Sequence, residues 1–276
     1  MIFAVVDRLS LRLVPDELWA LVEPLIPVFA PRPQGGGTAP VDARAVFTAI
    51  VYVLTSGCAW RDLPPSFGVP FQTAHRRFSQ WTKAGLWRRL HHALLDELGS
   101  QGLIDWSRAI VDGACVRAKK GGSLTGPSPV DRGKPGSKIH ALSDRAGLPL
   151  AVAVSAANTH DSAALKPLVM AIPAIKSRRG PRRRKPAKLH ADKAYDQPGL
   201  RRWVRDRGIK VRIARKGIEA KDKLGRHRWV IERTVAWLTG YRRLTLRYER
   251  KAEHFLAFLL LGASLICYKK LRKLTT

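Results

Sequence analysis

Charge is spread along this chain in a way that restricts what it can fold into alone. Of its 50 Lys and Arg residues, forty lie in residues 108–276, against twelve Asp and Glu, a net charge of +28. Residues 1–107 hold ten basic and nine acidic residues and are nearly neutral. A segment so cationic repels itself unless a polyanion is present, and nucleic acid is the polyanion that Lys and Arg neutralise best, because they release condensed counterions. The distribution points to nucleic-acid binding, with a generally basic soluble protein or a ribosomal protein as the alternative. At 45% hydrophobic over 276 residues, the chain can bury a core of one large domain or two modest ones. Cys58, Cys115 and Cys267 stand far apart with no CxxC pair. That argues against a disulfide framework or zinc site and fits a reducing cytoplasm. The apolar start at residues 1–6 is too short for a signal peptide. The apolar run 255–268 is too short to span a bilayer comfortably and reads as a buried helix.

The patterning changes near residue 105. An early helix is expected over 9–30, with Pro15, Asp16 and Glu17 in its first turn and Leu18, Trp19, Leu21 and Val22 on its apolar face. Prolines 24, 27, 31 and 33 and glycines 35–37 then form a loop. Helices follow over 42–56, 73–84 and 86–98, a small trihelical module of helix-turn-helix type. Its second helix carries Gln72, Thr73, His75, Arg76 and Arg77 towards a DNA groove. A plain bundle used for dimerisation is the alternative. From residue 108 the expected order is a strand closing on Asp112, a mobile loop over 117–137, strands at 138–143 and 148–156, and a helix at 161–170. Then come a basic solvated loop at 178–188, a strand at 188–191 closing on Asp192, a helix at 198–207 and a strand at 210–213. Helices at 226–241 and 252–270 end the order. This is an α/β chain: a ribonuclease-H-like mixed sheet with flanking helices over 106–276, preceded by a helical DNA-binding or dimerisation domain over 1–105.

Residues 108–276 hold few acids, so those at strand ends stand out. Asp112 follows Ala109-Ile110-Val111, and Asp192 follows Leu189-His190-Ala191. If these strands are neighbours, both carboxylates emerge at one sheet edge. Glu232 lies at the border of an inward helix face formed by Ile231, Val235 and Leu238, with Arg228 one turn earlier. Taken singly, each has an ordinary reading: a turn residue for either aspartate, a surface ion pair for Glu232 with Arg228. Together they match what two-metal phosphodiester chemistry requires, several carboxylates converging on two ions about 4 Å apart. His140, His160 and His190 are read as structural or DNA-contacting, and Trp229 and Trp237 as core residues.

At this point the chain resembles a known family. Val111-Asp112-Gly113, Ala191-Asp192-Lys193-Ala194-Tyr195-Asp196 and Arg228-Trp229-Val230-Ile231-Glu232-Arg233-Thr234 look like the three acidic motifs of Asp-Asp-Glu insertion-sequence transposases, closest to the bacterial insertion-sequence "five" family. Asn158-Thr159-His160-Asp161-Ser162, Trp237-Leu238 with Tyr241-Arg242-Arg243-Leu244, and Gly57-Cys58-Ala59-Trp60-Arg61-Asp62-Leu63-Pro64 are also similar to it, so the likeness spans roughly 11–250. It implies DNA cleavage at transposon ends and transfer of the 3′-hydroxyl into target DNA. It implies two divalent ions, Mg2+ or Mn2+, held by Asp112, Asp192 and Glu232. Double-stranded DNA is the implied partner, as terminal inverted repeats and as target, bound by a homodimer or higher multimer in the bacterial nucleoid, with no membrane. Lys193, Arg228, Arg233, Arg242 and Arg243, with Arg76 and Arg77, are the expected DNA contacts. The family's pattern around its last acid is Tyr, Arg, Glu, Lys; here Gly225 and Thr239 stand in the Tyr and Lys places, with Arg242 or Arg243 as the replacement for the lysine. The alternatives are a metal-dependent nuclease of the same fold and a non-catalytic DNA-binding descendant.

Overall fold

A computed structural model describes residues 2–28, 40–218 and 221–273; the side chains of residues 2–7 and 221–228 lie outside that description. The single helix expected over 9–30 is in fact two, α1 (Ile2–Leu13) and α2 (Asp16–Val22), separated at Pro15. Proline has no N–H to give a preceding turn and drives its neighbour out of the helical region. A 3-10 turn over Glu23–Leu25 follows, and residues 29–39 lie outside the described set.

α3 (Ala43–Ser56) starts where Asp42 accepts the Ala45 N–H at 2.7 Å. It stops at Gly57, whose φ of 73° only glycine adopts without strain, and a Cβ there would meet Arg242 Cβ at 2.8 Å. α4 (Phe71–Lys83) starts two residues before its expected position, and α5 (Leu86–Ser100) follows Gly85.

The sheet contains β1 (Ala109–Ala118), β2 (Gly126–Pro127), β3 (Pro135–Asp144) and β4 (Pro149–Ala156). After these come α6 (Ser162–Ala171), β5 (Lys188–Ala191), α7 (Pro198–Asp206) and β6 (Lys210–Ile213). The chain closes with α8 (Lys221–Thr239), α9 (Arg242–Thr245), β7 (Leu246–Arg247) and α10 (Ala252–Arg272). The strands lie side by side as β4-β3-β1-β5-β6, with β2 and β7 as short additions. β1, β3 and β4 form an antiparallel meander, and β5 and β6 run parallel to β1. This is the ribonuclease-H-like order, and the parallel pairs need the crossovers that α6 and α7 supply.

Three expectations along this part are corrected. β1 does not end at Asp112 but runs six residues further, because β3 pairs with it as far as Arg117↔Gly136. Gly113 reads locally as a turn, yet here it gives room: a Cβ would stand 3.0 Å from His140 Nδ1 on β3. The stretch 117–137 is accordingly not one loop, since it contains β2 and the start of β3. α8 begins at Lys221 rather than 226 and ends at Thr239, before Tyr241.

α10 is 21 residues long and apolar enough to cross a membrane by length and composition, yet 67% of its most apolar window is buried inside the protein. It packs on α5 and β4, and Phe258 stacks on Phe78 of α4 with ring centroids 4.4 Å apart. The helical amino-terminal part and the sheet therefore share one continuous apolar core, in which Leu18, Phe47, Leu90, Ile139 and Phe258 are all fully buried.

Candidate active site and nucleic-acid interface

β1 and β5 pair in parallel at Ala109↔Leu189 and Ile110↔His190, and then β5 ends while β1 continues. Asp112 and Asp192 each stand two residues past the Ile110↔His190 pair. Extending that register by two residues would set them opposite one another, with Asp192 just beyond β5 at the cap of the turn that follows. Both are half-buried. The backbone N–H of Gly113 donates to Asp112 Oδ1 at 2.8 Å. The N–H of Ala194 donates to Asp192 Oδ1 at 2.8 Å, so Asp192 also caps the 3-10 turn Lys193–Tyr195. The ordinary turn role considered for Asp192 is real, and it uses one carboxylate oxygen. Behind Asp112, His140 is fully buried, its Nε2 2.8 Å from Ser155 Oγ. Burial lowers its pKa to about 4, against the raising influence of Asp161, so at neutral pH it is an uncharged packing residue, as expected.

The loop after Asp192 is held from α6. Gln197 donates to Ser162 Oγ at 2.8 Å, and His160 Nδ1 lies 2.7 Å from the same oxygen. Asp196 accepts from Lys216 N at 2.8 Å and from Arg201 Nε at 2.6 Å, which together hold its carboxyl below the usual range. Lys138 pairs with Asp161 at 3.0 Å and donates to Thr159 O. Ser162 and Asp196, from the Asn158–Ser162 and Tyr195–Asp196 motifs, thus fasten the segment that follows Asp192. Sequence reasoning missed this because the partners are 20 to 35 residues apart.

Glu232 lies on α8, which packs across β1 and β3. Thr234 Oγ1 donates to Gly147 O at 2.8 Å and Arg233 Nη2 to Ala146 O at 2.8 Å, fixing this helix to the β3–β4 turn. Gly147 (φ 90°) is needed there, since a Cβ would meet Thr234 Oγ1 at 3.0 Å. Ile231 is buried and Glu232 exposed, so the border position expected for it is observed. Among the described residues, no three of His, Cys, Asp and Glu lie close enough together to form a metal cage. The structure sets Asp112 within β1, Asp192 at the cap of the turn after the neighbouring strand β5, and Glu232 on α8, which packs on β1.

The expected DNA contacts divide. Arg76 and Arg242 are exposed, and Arg77 and Lys193 are half-buried at the surface. The Arg228 side chain lies outside the described residues. Arg243 is corrected: it is only 4% exposed, its Nε and Nη2 are both 2.7 Å from Glu249 Oε1, and its Nη1 donates to Cys58 O at 2.7 Å. A guanidinium committed in this way is an internal tie between α9 and the end of α3, and it cannot serve as the missing phosphate lysine. Trp229 and Trp237 are also corrected, being 53% and 41% exposed instead of packed in the core. They hold the Arg233 guanidinium between them at 4.6 and 4.7 Å. A cleft of about 850 Å3 opens between α4 and the segment after β7, lined by Gln72 and His75 on one side and Lys120, Arg250 and Lys251 on the other.

Two family profiles cover most of the chain. One, described as a transposase of the IS4/5 family, matches residues 14–91, and the other, described as a transposase DDE domain, matches residues 106–268. The chain belongs to the DDE-domain transposases. Among curated relatives of this transposase is the protein assigned as transposase of insertion sequence element IS402 from Burkholderia cepacia. It is 48% identical over 149 residues, 54% of this chain and 71% of that one. A 16.2 kDa protein of the same insertion element is 44% identical over 119 residues, 42% of this chain and 81% of that one. Solved structures similar to this transposase include a piggyBac transposase synaptic complex with hairpin DNA. It has a TM-score of 0.43 and 11% identity, covering 95% of this chain and 74% of that one. A Mos1 transposase paired-end complex has a TM-score of 0.27 and 12% identity, covering 83% and 81%. The transposase is thus an enzyme acting on DNA, and its +29 charge is the electrostatic counterpart of that substrate.

Proposed function

We propose that this transposase cuts DNA at the ends of its element and joins the freed 3′-hydroxyl to a target phosphodiester, with Asp112, Asp192 and Glu232 as the catalytic carboxylates. The observation that supports the reading is the parallel pairing of β1 with β5 at Ile110↔His190, since Asp112 and Asp192 each follow that pair by two residues and would emerge at one edge of the sheet. An all-oxygen donor pair, one on β1 and one on the turn after β5, suits a hard divalent cation, Mg2+ or Mn2+. Asp112 and Asp192 would hold the ions and Glu232 would be the third donor from α8. When bound, a pair of such ions activates the attacking oxygen and stabilises the leaving one.

The protein's own contribution is position. β1, tied to β3 along its length, fixes Asp112, and the Ser162–Gln197 contact fixes the turn that carries Asp192. Lys193 and Arg233 flank the acids and would hold phosphate near them, with Arg228 on the same helix. Arg76, Arg77 and Arg242 would add DNA contacts at the surface, and Lys120, Arg250 and Lys251 would do so across the 850 Å3 cleft that α4 borders through Gln72 and His75. Terminal inverted repeats and target DNA would be engaged by a homodimer or larger multimer in the nucleoid.

The test uses purified protein with a labelled duplex carrying the element's own terminal sequence. Asp112→Asn, Asp192→Asn and Glu232→Gln should each lose strand cleavage by at least a thousandfold while DNA affinity stays within about threefold. A Glu232→Gln enzyme that cleaves normally removes Glu232 from the set. Wild type that cleaves without ever joining the end to a second DNA is a nuclease, and wild type that binds without cleaving in Mg2+ or Mn2+ is a non-catalytic descendant.

A further inference from the structure

A second feature of α8 lies beyond the carboxylates. Trp229, Arg233 and Trp237 recur every four residues and form one stripe along the helix. At about 1.5 Å per residue the stripe runs roughly 12 Å, from beside Glu232 to the last turn of α8. There it opens into a pocket of about 360 Å3 between α8, the β3–β4 turn and the end of α10. The pocket's charged lining is Arg233, Lys269, Lys270 and Lys273, and its aromatic lining is Trp237 and Tyr241; no acid is among the described residues that line it.

Two of the lining residues also carry a polar atom that is buried behind the pocket wall. The Tyr241 hydroxyl is buried, its residue 6% exposed, and has no hydrogen-bond partner among the described residues. The Arg233 Nε is likewise buried without one, although its Nη2 is used by Ala146 O. The Lys269 ammonium lies 5.1 Å from the Tyr241 ring centroid, which keeps a positive charge against the aromatic wall. Four cations with no acid among the described residues lining the pocket call for a polyanion. An exposed indole beside them calls for a flat aromatic ligand. A nucleic-acid strand with a base out of its stack supplies both at once, whereas a paired duplex offers only its phosphates.

We propose that this pocket binds an unpaired stretch of DNA, with its phosphates on Lys269, Lys270, Lys273 and Arg233 and a base against Trp237. The proposal rests on the DNA-transposase assignment but not on the identity of the catalytic carboxylates. Its test is therefore done with EDTA present, where cleavage plays no part.

Affinities are measured by fluorescence anisotropy for a labelled duplex and for the same duplex with a short single-stranded extension. The triple variant Lys269→Ala, Lys270→Ala, Lys273→Ala should bind the extended probe at least tenfold more weakly. The slope of log affinity against log salt should fall by about two, at roughly 0.7 per phosphate contact on single strands. Trp237→Ala should lose about tenfold on the extended probe and little on the blunt duplex, and Trp237→Phe should recover most of that loss. Circular dichroism and thermal melting of each variant confirm folding. Equal losses on both probes, or no loss on either, overturn the proposal. So does a change in oligomer mass with unchanged DNA binding, which would make the pocket a contact between protein chains.

Discussion

Replacing Arg243 separates two roles that its sequence position leaves open. In the structure Arg243 and Glu249 are 4% and 7% exposed, and two guanidinium nitrogens meet one carboxylate oxygen at 2.7 Å. The other oxygen, Oε2, is buried with no partner among the described residues. Arg243→Met therefore strands a buried carboxylate and also removes the donor to Cys58 O. Breaking a buried pair from one side costs about 3–5 kcal/mol. For a chain of this length that lowers the melting temperature by on the order of 10 °C. The double variant Arg243→Met, Glu249→Met removes both charges together and should recover most of the loss, since apolar replacement of a buried pair is often near neutral. Urea midpoints and thermal melting give the stabilities, and anisotropy across a salt series gives the DNA term. The salt slope of both variants should equal that of the wild type. An Arg243→Met protein that melts like the wild type, with a salt slope smaller by about one, would show that Arg243 binds phosphate and that the internal assignment is mistaken.

Gly57→Ala places a Cβ at φ 73° and 2.8 Å from Arg242 Cβ, and should destabilise by about 1–3 kcal/mol in urea denaturation; an unchanged midpoint means that the α3–α9 contact yields freely. His91 is fully buried with its Nε2 2.8 Å from Pro149 O, and burial lowers its pKa from 6.5 to about 4 despite that carbonyl. Its folded-state pKa lies below the unfolded one, so its stabilising effect is complete above pH 6.5 and is lost as pH falls towards 4, by up to about 3 kcal/mol. Asp144, raised to about 6 by burial, works in the opposite sense, its penalty easing as pH falls through 6. His91→Gln should remove the loss that His91 causes between pH 6.5 and 4, so that the variant gains stability relative to the wild type as pH falls through that window, and a variant curve parallel to the wild type would remove His91 as the cause.

Much of this protein was legible from local pattern. Polar–apolar spacing, the Asp42 cap, Gly57 and the Asp144–Gly147 turn act over a few residues. The helices of the amino-terminal part and the strand-and-helix order after residue 108 follow from them within a few positions. The short carboxylate motifs carried the family. Errors arose where a partner far along the chain overrides a local signal. Asp112-Gly113 looks like a strand end, but β3 supplies hydrogen bonds beyond it and His140 needs the space that Gly113 leaves. Arg243 looks like one more surface cation, and Glu249 together with the Cys58 carbonyl, 185 residues earlier, draws it inside. Trp229 and Trp237 look like core residues, and the β3–β4 turn takes up the neighbouring face of α8 through Arg233 and Thr234, leaving both indoles outside. Sequence alone determined which residue types and which local conformations are present. Only the tertiary structure decided which charges are buried, which aromatics are exposed and which strands lie side by side, because desolvation and strand register depend on neighbours that the linear order does not name.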